Sequence, residues 1–503
     1  MTEDLAPTTG PDDATPGAPD EEAVDVVVIG AGPVGENAAQ YAHTAGGLEV
    51  ALVEADLLGG ECSYWACMPS KALLRPLEVA GAAAHLGGLT DPDIDLPGLL
   101  ARRDEWRSHL DDAGQVEWAE DAGLRVVRGH GRLAGPRRVE VLGDDGAPAR
   151  VLRARHAVVV ATGSTAVVPG ELRGVSPWTS RDATGVREVP GRLAIVGGGV
   201  VAVEAATWMA ALGSDVQLLV RGDRLLSGQE PVASRLVLEG LVDAGVRVRF
   251  GTSVERAERA DVHAESDVGV PHGGPVRLTL AGSGETLEVD ELLVAAGRRP
   301  ALDGLGLEAL GLSAEDLQDE SGTAVVPASD GAAPWLYAVG DVTGGPALTH
   351  WGKHRARLLG ERIAALATGR PAPSGEEAGE GVPEAVPQVV FTSPQVARVG
   401  VTEAQAREEG GEGELRVVDV PLTSAAGAAL LRDDAAGRAV LVLRGDRVVG
   451  ATFVGFEVAE LLHAATVAIV GEVPLDRLRH AVAAYPTASE VWLRLVEEAL
   501  GRG

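Results

Sequence analysis

A chain of 503 residues, at roughly 150 per domain, has the length of about three domains. Its 45% apolar and 23% charged residues are the balance of a globular protein rather than a disordered or membrane one. A net charge of −31, with only eight Trp, four Tyr and four Phe, repels phosphate backbones and offers few faces for base stacking, which excludes nucleic acid as a partner.

The chain opens Met1-Thr2-Glu3-Asp4-Leu5 with no basic or apolar leader, so no signal peptide is expected. No uncharged apolar run approaches the roughly 18 residues of a membrane span, and the expected setting is the cytoplasm, with no membrane partner. Residues 1–22 carry Pro7, Pro11, Pro16 and Pro19, seven acids and no base. That composition cannot bury a core and predicts a disordered acidic tail.

Order is then expected at once. Val24-Asp25-Val26-Val27-Val28-Ile29 suits a central parallel strand. It runs into Gly30-Ala31-Gly32-Pro33-Val34-Gly35, a helical Ala38–Ala45 stretch and a second strand, Glu49 to Glu54. This is a complete βαβ dinucleotide unit. The first glycine serves the tight turn, the second the approach of a pyrophosphate and the third close helix packing, while Glu54 suits a ribose hydroxyl.

The next segment reads Gly59-Gly60-Glu61-Cys62-Ser63-Tyr64-Trp65-Ala66-Cys67-Met68-Pro69-Ser70-Lys71 and holds both cysteines of the chain. A disulfide closing so short a loop stabilises little, and two cysteines cannot alone build a four-ligand zinc site. Reversible thiol–disulfide chemistry is the expected use, and no metal is expected. Of 43 basic residues only Lys71 and Lys353 are lysines. A lysine kept beside Cys67 points to a compact charge that would favour a thiolate.

A second βαβ unit follows. Arg192 to Val196 leads into Gly197-Gly198-Gly199-Val200, a helical Val203–Ala211 and a strand, Val216 to Val220. Two such strings in full strand–loop–helix–strand context are strong evidence for two dinucleotide sites. Here the strand ends in Val220, followed by Arg221-Gly222-Asp223-Arg224. An acid at that place serves a ribose diol; its absence, beside Arg221 and Arg224, favours a 2′-phosphate, hence NADPH ahead of NADH. Further strands are predicted at Val158–Ala161, Leu292–Ala296 and Trp335–Val339, each stopped by a loop with Gly. The proline-rich 371–387 reads as a linker. Strands near 388–391, 440–443 and 447–455, with helical 457–470 and 488–500, make an α+β unit without a nucleotide signature.

The Gly59–Lys71 segment resembles the redox-disulfide signature of the class I pyridine nucleotide-disulfide oxidoreductases, a family that includes glutathione reductase, dihydrolipoamide dehydrogenase and mercuric reductase. The common form is GGTCLNxGCxPSK; Ser63-Tyr64-Trp65-Ala66 replaces its interior while the cysteine spacing and Pro-Ser-Lys are intact. The resemblance extends over about residues 23–500, through Ala161-Thr162-Gly163-Ser164, Gly297-Arg298-Arg299-Pro300, Gly340-Asp341-Val342 and Phe391-Thr392-Ser393-Pro394.

It implies an α/β fold of two Rossmann-like dinucleotide-binding domains, for FAD and NAD(P), and a C-terminal α+β dimerisation domain. The expected division is an FAD domain at 23–165 and 297–370, an NAD(P) domain at 166–296 and a dimerisation domain at 388–503. FAD would be held by Gly30, Gly32, Pro33, Gly35, Glu54, Gly60, Lys71, Gly131, Thr162, Gly163, Asp341, Ala347, Leu348 and Thr349. Gly197, Gly199, Val200, Glu204, Val220, Arg221, Arg224 and Gly297 would lie on the nicotinamide side. Cys67 would face the flavin, able to form a charge-transfer pair, and Cys62 would meet substrate. Lys71, paired with Glu204, would stabilise the anionic reduced flavin.

One motif departs. The family commonly carries His-Pro-Thr-x-x-Glu, its His shuttling protons across a homodimer interface; this chain has Tyr485-Pro486-Thr487-Ala488-Ser489-Glu490, with His480 five residues earlier. A phenol titrates near pH 10 against about 6.5 for imidazole and accepts protons poorly at neutrality. Mercuric reductases resemble the chain here, but their additional metal-handling cysteines are missing. The expected activity is transfer from NADPH through FAD and the dithiol to a small oxidant: a low-mass disulfide, a soft metal ion or a reactive halogen species. A flavin diaphorase acting on quinones and a dihydrolipoamide dehydrogenase-like subunit of a larger complex are the alternatives.

Overall fold

The computed structural model describes residues 21–501 apart from 91, 144, 264–266, 329–332, 380 and 383–384. Its organising element is a strand, β1 (Glu21–Ile29), flanked on both sides by parallel neighbours, β2 (Val50–Glu54) and the strand Pro148–Val160. Val27 and Ile29 join one apolar cluster and Val26 and Val28 another. Burial on both faces is why this strand is an apolar run rather than an alternation. Arg125–Arg128 extends the sheet beyond β2, and Leu336–Val339 and Thr323–Val326 extend it on the other side. Helices α1 (Pro33–Gly46) and Thr349–Ala367 cover one face.

The acidic tail predicted at 1–22 needs correction at its end. Glu21 and Glu22 already belong to β1, in register with Val151 and Leu152. The long strand Pro148–Val160 offers them a backbone ladder, and Arg153 takes Glu21 at 3.3 Å while Arg125 takes Glu22. Residues 1–20 lie outside the described residues, as do 380, 383 and 384 of the predicted linker, which contains a 3₁₀ turn at Gly375–Ala378.

Beyond β2, a short helix α2 (Gly60–Tyr64) leads into α3 (Cys67–Ala84). The second nucleotide unit forms a four-stranded parallel sheet in the order Arg247–Arg249, Asp215–Leu219, Arg192–Val196, Glu291–Val294. The helix Val200–Ala211 follows its glycine turn. A three-stranded antiparallel sheet within 254–289 lies against it. Leu73 and Leu74 of α3 share a core with Val203 of that helix, which ties the cysteine segment to the second unit. The C-terminal part is a five-stranded antiparallel sheet spanning Gln388 to Gly455, packed by helices Leu462–Val470 and Val491–Ala499. No helix among the described residues is long and apolar enough to cross a membrane.

Candidate active site

A cavity of about 620 Å³ opens between β1, β2, the cysteine segment and residues 161–166, within the roughly 300–1,000 Å³ common for small-molecule sites. Gly30 makes the turn out of β1 at φ +99°, where a Cβ would stand 2.4 Å from the Ala161 carbonyl oxygen. The Gly59-Gly60 corner leans on the same turn, Gly59 N–H donating to Ala31 O at 2.8 Å. A Cβ on Gly60 would come within 2.8 Å of Gly32 Cα. The strand–helix turn and the cysteine segment are thus fixed to each other through bare backbone.

The wall fits an elongated cofactor carrying a pyrophosphate. The 14-residue helix α1 follows Gly32 with no side chain capping it, and the free N–H groups at such a start attract phosphate. At Gly163 a Cβ would meet nothing within 4 Å, so glycine there keeps the cavity open. Glu54, at the end of β2, holds one carboxylate oxygen on Ala31 N–H (2.7 Å) and the other on Asp56 N–H (2.8 Å). Asp341 accepts from Ser164 Oγ at 2.7 Å, and Arg298 Nε donates to that hydroxyl at 2.8 Å.

Both cysteines are free thiols. Cys62, on α2, lines the cavity. Cys67 opens α3, and its Sγ lies 3.4 Å from Oγ1 of Thr349, a wall residue that begins the helix Thr349–Ala367. A hydrogen bond from Cys62, aided by the Thr349 hydroxyl and the Lys71 charge, outweighs burial and draws the Cys67 pKa down to about 6. Donating that bond, together with burial, pushes the Cys62 thiol up. The pair therefore carries its negative charge on Cys67 and its proton on Cys62, as suits a thiolate at a helix N-terminus.

Lys71 stands one turn along α3. Its Nζ lies 2.8 Å from Glu204 Oε2 and 4.8 Å from the Phe391 ring centroid. The other Glu204 oxygen accepts from Phe391 N–H at 2.9 Å. One ion pair thus joins the cysteine helix, the second nucleotide unit and the start of the C-terminal sheet.

Of the residues the sequence singles out, Gly30, Gly32, Pro33, Glu54, Gly60, Cys62, Gly131, Thr162, Gly163, Asp341 and Thr349 share the cavity wall. Gly35 packs under the turn, and Ala347 and Leu348 precede the helix that Thr349 opens. Cys67 is not itself a wall residue, so lining alone does not make it the flavin-facing thiol; its thiolate character supports that role. Gly197, Gly199, Val200, Val220, Arg221 and Arg224 are not wall residues of this cavity, and neither is Gly297, although it adjoins the wall residue Arg298. Val220 is buried, Arg221 is exposed, and Arg224 donates to Ser227 O at 2.6 Å. Tyr485 is 77% exposed, and within one chain neither it nor Glu490 reaches the cavity.

Sequence reasoning gave no role to Trp65, whose ring lies 5.1 Å from the Arg181 guanidinium and 5.8 Å from that of Arg107. Thr184 Oγ1 donates to Trp65 O at 2.8 Å, and Arg181 also reaches Glu61 at 2.5 Å. These contacts brace the segment between the cysteines. The signal available was the bulky Tyr64-Trp65 pair inside the motif.

The family model for pyridine nucleotide-disulphide oxidoreductases matches residues 24–356, and the model for that family's dimerisation domain matches 386–496. Dihydrolipoyl dehydrogenase 3 of Pseudomonas aeruginosa is 34% identical over 493 residues, 96% of this chain and 99% of that protein. Dihydrolipoyl dehydrogenase of Halobacterium salinarum is 32% identical, covering 95% of this chain and 96% of its own length. Among solved structures, the Cu(II) complex of the HOCl-induced flavoprotein disulfide reductase RclA from Escherichia coli is similar with TM-score 0.75 and 25% identity, over 95% of this chain and 99% of that one. LpdA from Mycobacterium tuberculosis shares the fold with TM-score 0.77 at 24% identity, over 95% of this chain and 99% of that one. The chain belongs to the class I pyridine nucleotide-disulfide oxidoreductases, FAD-dependent flavoprotein enzymes with a C-terminal dimerisation domain.

Proposed function

We propose that the protein is a homodimeric NADPH-dependent reductase that passes two electrons through Cys62 and Cys67 to a small oxidant: a low-mass disulfide, a soft metal ion or a reactive halogen species. The observation that carries this reading is Tyr485 where the family places its histidine. A phenol takes up a proton from a thiol far less readily than an imidazole at neutral pH. Within this range a soft metal ion or a reactive halogen species, which need no imidazole, is therefore favoured over a low-mass dialkyl disulfide, and all are favoured over dithiols of the lipoamide type. The similarity to a reductase described as HOCl-induced and solved with Cu(II) supports the halogen and soft-metal end of this range.

FAD, when bound, supplies the two-electron relay between the nicotinamide and the dithiol. The chain's own residues divide the rest. Lys71, held by Glu204, keeps a positive charge near Cys67 and helps hold its sulfur as thiolate. Cys62 loses its proton and attacks the acceptor; with a disulfide this forms a mixed disulfide and releases one thiolate. Cys67 then attacks the Cys62 sulfur, restoring the 62–67 disulfide and expelling the second thiolate, so two electrons leave the pair.

Preference for NADPH is supported by Val220, which offers no carboxylate to a ribose diol, and by Arg221, exposed and without a partner among the described residues. A homodimer is supported by the matched dimerisation domain and by its bare apolar side chains, Val482 at 91% exposure with Tyr485, Val467 and Leu493.

The names of the sequence relatives favour a second reading, oxidation of a protein-bound dihydrolipoyl group with NAD. Steady-state kinetics with both nucleotides against lipoamide, a low-mass disulfide, Cu(II) and a quinone separate the readings. Robust lipoamide turnover with NAD overturns the proposal. A diaphorase is indicated instead if Cys62→Ser leaves every reduction intact.

A further inference from the structure

Two lysines stand among 43 basic residues, and the ion pair with Glu204 accounts for only one. Lys353 lies four residues after Thr349 on the 19-residue helix Thr349–Ala367, so it shares that residue's face one turn on. Thr349 and Cys62 both wall the large cavity, and Thr349 touches the Cys67 sulfur. The backbone beside Lys353 is pressed onto α1: a Cβ at Gly352 would come 2.5 Å from Val34 Cγ2. Lys353 itself is exposed and has no ion pair or hydrogen bond among the described residues.

We propose that Lys353 is the activating cation of Cys62, stabilising the thiolate that this sulfur must become in order to attack the acceptor. The proposal rests on the reading of Cys62 as the acceptor-facing thiol. The step is a deprotonation: the Cys62 S–H bond breaks, its proton goes to solvent, the ammonium keeps its protons and no electron moves. A charge near the sulfur lowers the cost of that step without a proton acceptor of its own, and so replaces part of what an imidazole at 485 would provide. The electrostatics agree in direction. Cys67 and burial push the Cys62 thiol up, and burial pushes the Glu36 carboxyl of α1 up to about 7. The Lys353 charge acts downward on both, after the Thr349 hydroxyl at Cys62 and after the Gln115 amide at Glu36.

Other ionisable groups share this region, and Glu54, Asp341, Arg298 and Arg181 of the cavity wall are engaged by the contacts described above. From α3 come Cys67, which raises the Cys62 pKa, and Lys71, engaged by Glu204. On α2 itself, Glu61 is engaged by Arg181, and burial pushes the Tyr64 phenol up to about 12. From α1, Glu36 accepts from Gln115 Nε2 at 2.9 Å.

Cys67→Ser leaves Cys62 as the sole cysteine of the chain, so iodoacetamide uptake by the purified holoprotein reports one thiol. The rate is followed against pH in this background, alone and with Lys353→Met or Lys353→Arg. Flavin absorbance and the unfolding midpoint check that each variant is folded. The expected result is an upward shift of the profile in Lys353→Met, with alkylation near neutral pH about three- to ten-fold slower, and recovery in Lys353→Arg. Added salt slows the parent, and this slowing is lost in Lys353→Met. Superimposable profiles for the parent and Lys353→Met overturn the proposal. Failure of NADPH to uncover two thiols in the unmutated protein would instead sink the redox reading, whatever Lys353 does to Cys62.

Discussion

Deleting one hydroxyl tests how the Cys67 thiolate is held. Thr349→Val removes the Oγ1 that lies 3.4 Å from Cys67 Sγ and keeps nearly the same shape on the cavity wall. Toward a thiolate only the hydroxyl can donate, so its loss disfavours the charged form and raises the pKa. A hydrogen bond to a charged group contributes roughly 1.5–3 kcal/mol; sulfur at this distance sits at the low end, about one pKa unit at 1.36 kcal/mol each. The Cys67 value then moves from about 6 toward 7, and at pH 7 the thiolate fraction drops from about nine-tenths to about one half. The measurement is iodoacetamide uptake against pH in a Cys62→Ser background, where Cys67 is the sole thiol and a serine hydroxyl still donates to it. A midpoint unchanged by Thr349→Val refutes the assignment of the hydroxyl.

Gly30→Ala places a Cβ 2.4 Å from Ala161 O at a φ of +99°, which costs about 2–4 kcal/mol through left-handed strain and overlap; thermal unfolding and bound flavin per chain both report it. Glu204→Gln removes the partner of Lys71, whose side chain is still 36% exposed, so urea unfolding should show about 1–2 kcal/mol of loss rather than the 3–5 of a fully enclosed pair. The same change leaves the Lys71 charge unneutralised, and the Cys67 midpoint moves down. Arg221→Ala lowers kcat/KM for NADPH about tenfold, a cost of 1.4 kcal/mol typical of an exposed charge-assisted contact, while the value for NADH stays; equal loss for both nucleotides removes Arg221 from the 2′-phosphate site.

The sequence made the parallel strands legible because burial on both faces turns them into apolar runs, as in Val26 to Ile29, and because a glycine turn follows the first strand of each nucleotide unit, Gly30 after β1 and Gly197 after Arg192–Val196. The antiparallel strands were harder. Val254–Arg259 reads Val-Glu-Arg-Ala-Glu-Arg, and only Val254 and Arg259 of it are buried. Arg259 goes inward because Glu291 waits there, both side chains being 0% exposed, and no local pattern announces a charge paired 32 residues away. The glycines, the cysteine pair and Lys71 were legible as a motif, since each answers a local requirement of turn, approach or charge. Lys353 was visible only as an exception in composition. Its relation to Cys62 needs the helix Thr349–Ala367 to be laid against the cysteine segment, a contact spanning almost 300 positions in the chain.

The two sulfurs are held by forces of different range, and this has a consequence for turnover. Cys67 owes its low pKa first to a hydrogen bond from Cys62, then to a hydroxyl and to a lysine already paired with a buried carboxylate. Contacts of that kind are short and partly enclosed, and salt screens them little. Cys62 is helped by the Thr349 hydroxyl and, as proposed, by the exposed Lys353 ammonium, and screening weakens that second contribution strongly. The acidic chain sharpens the contrast, because a net charge of −31 opposes every new anion and leaves the local cation to offset that field. Rising ionic strength therefore leaves the Cys67 thiolate in place while changing the rate at which Cys62 attacks. In rapid-mixing experiments the attack on a neutral acceptor slows with salt while thiolate formation at Cys67 does not, and equal salt dependence of the two phases would contradict the division of labour between Lys71 and Lys353.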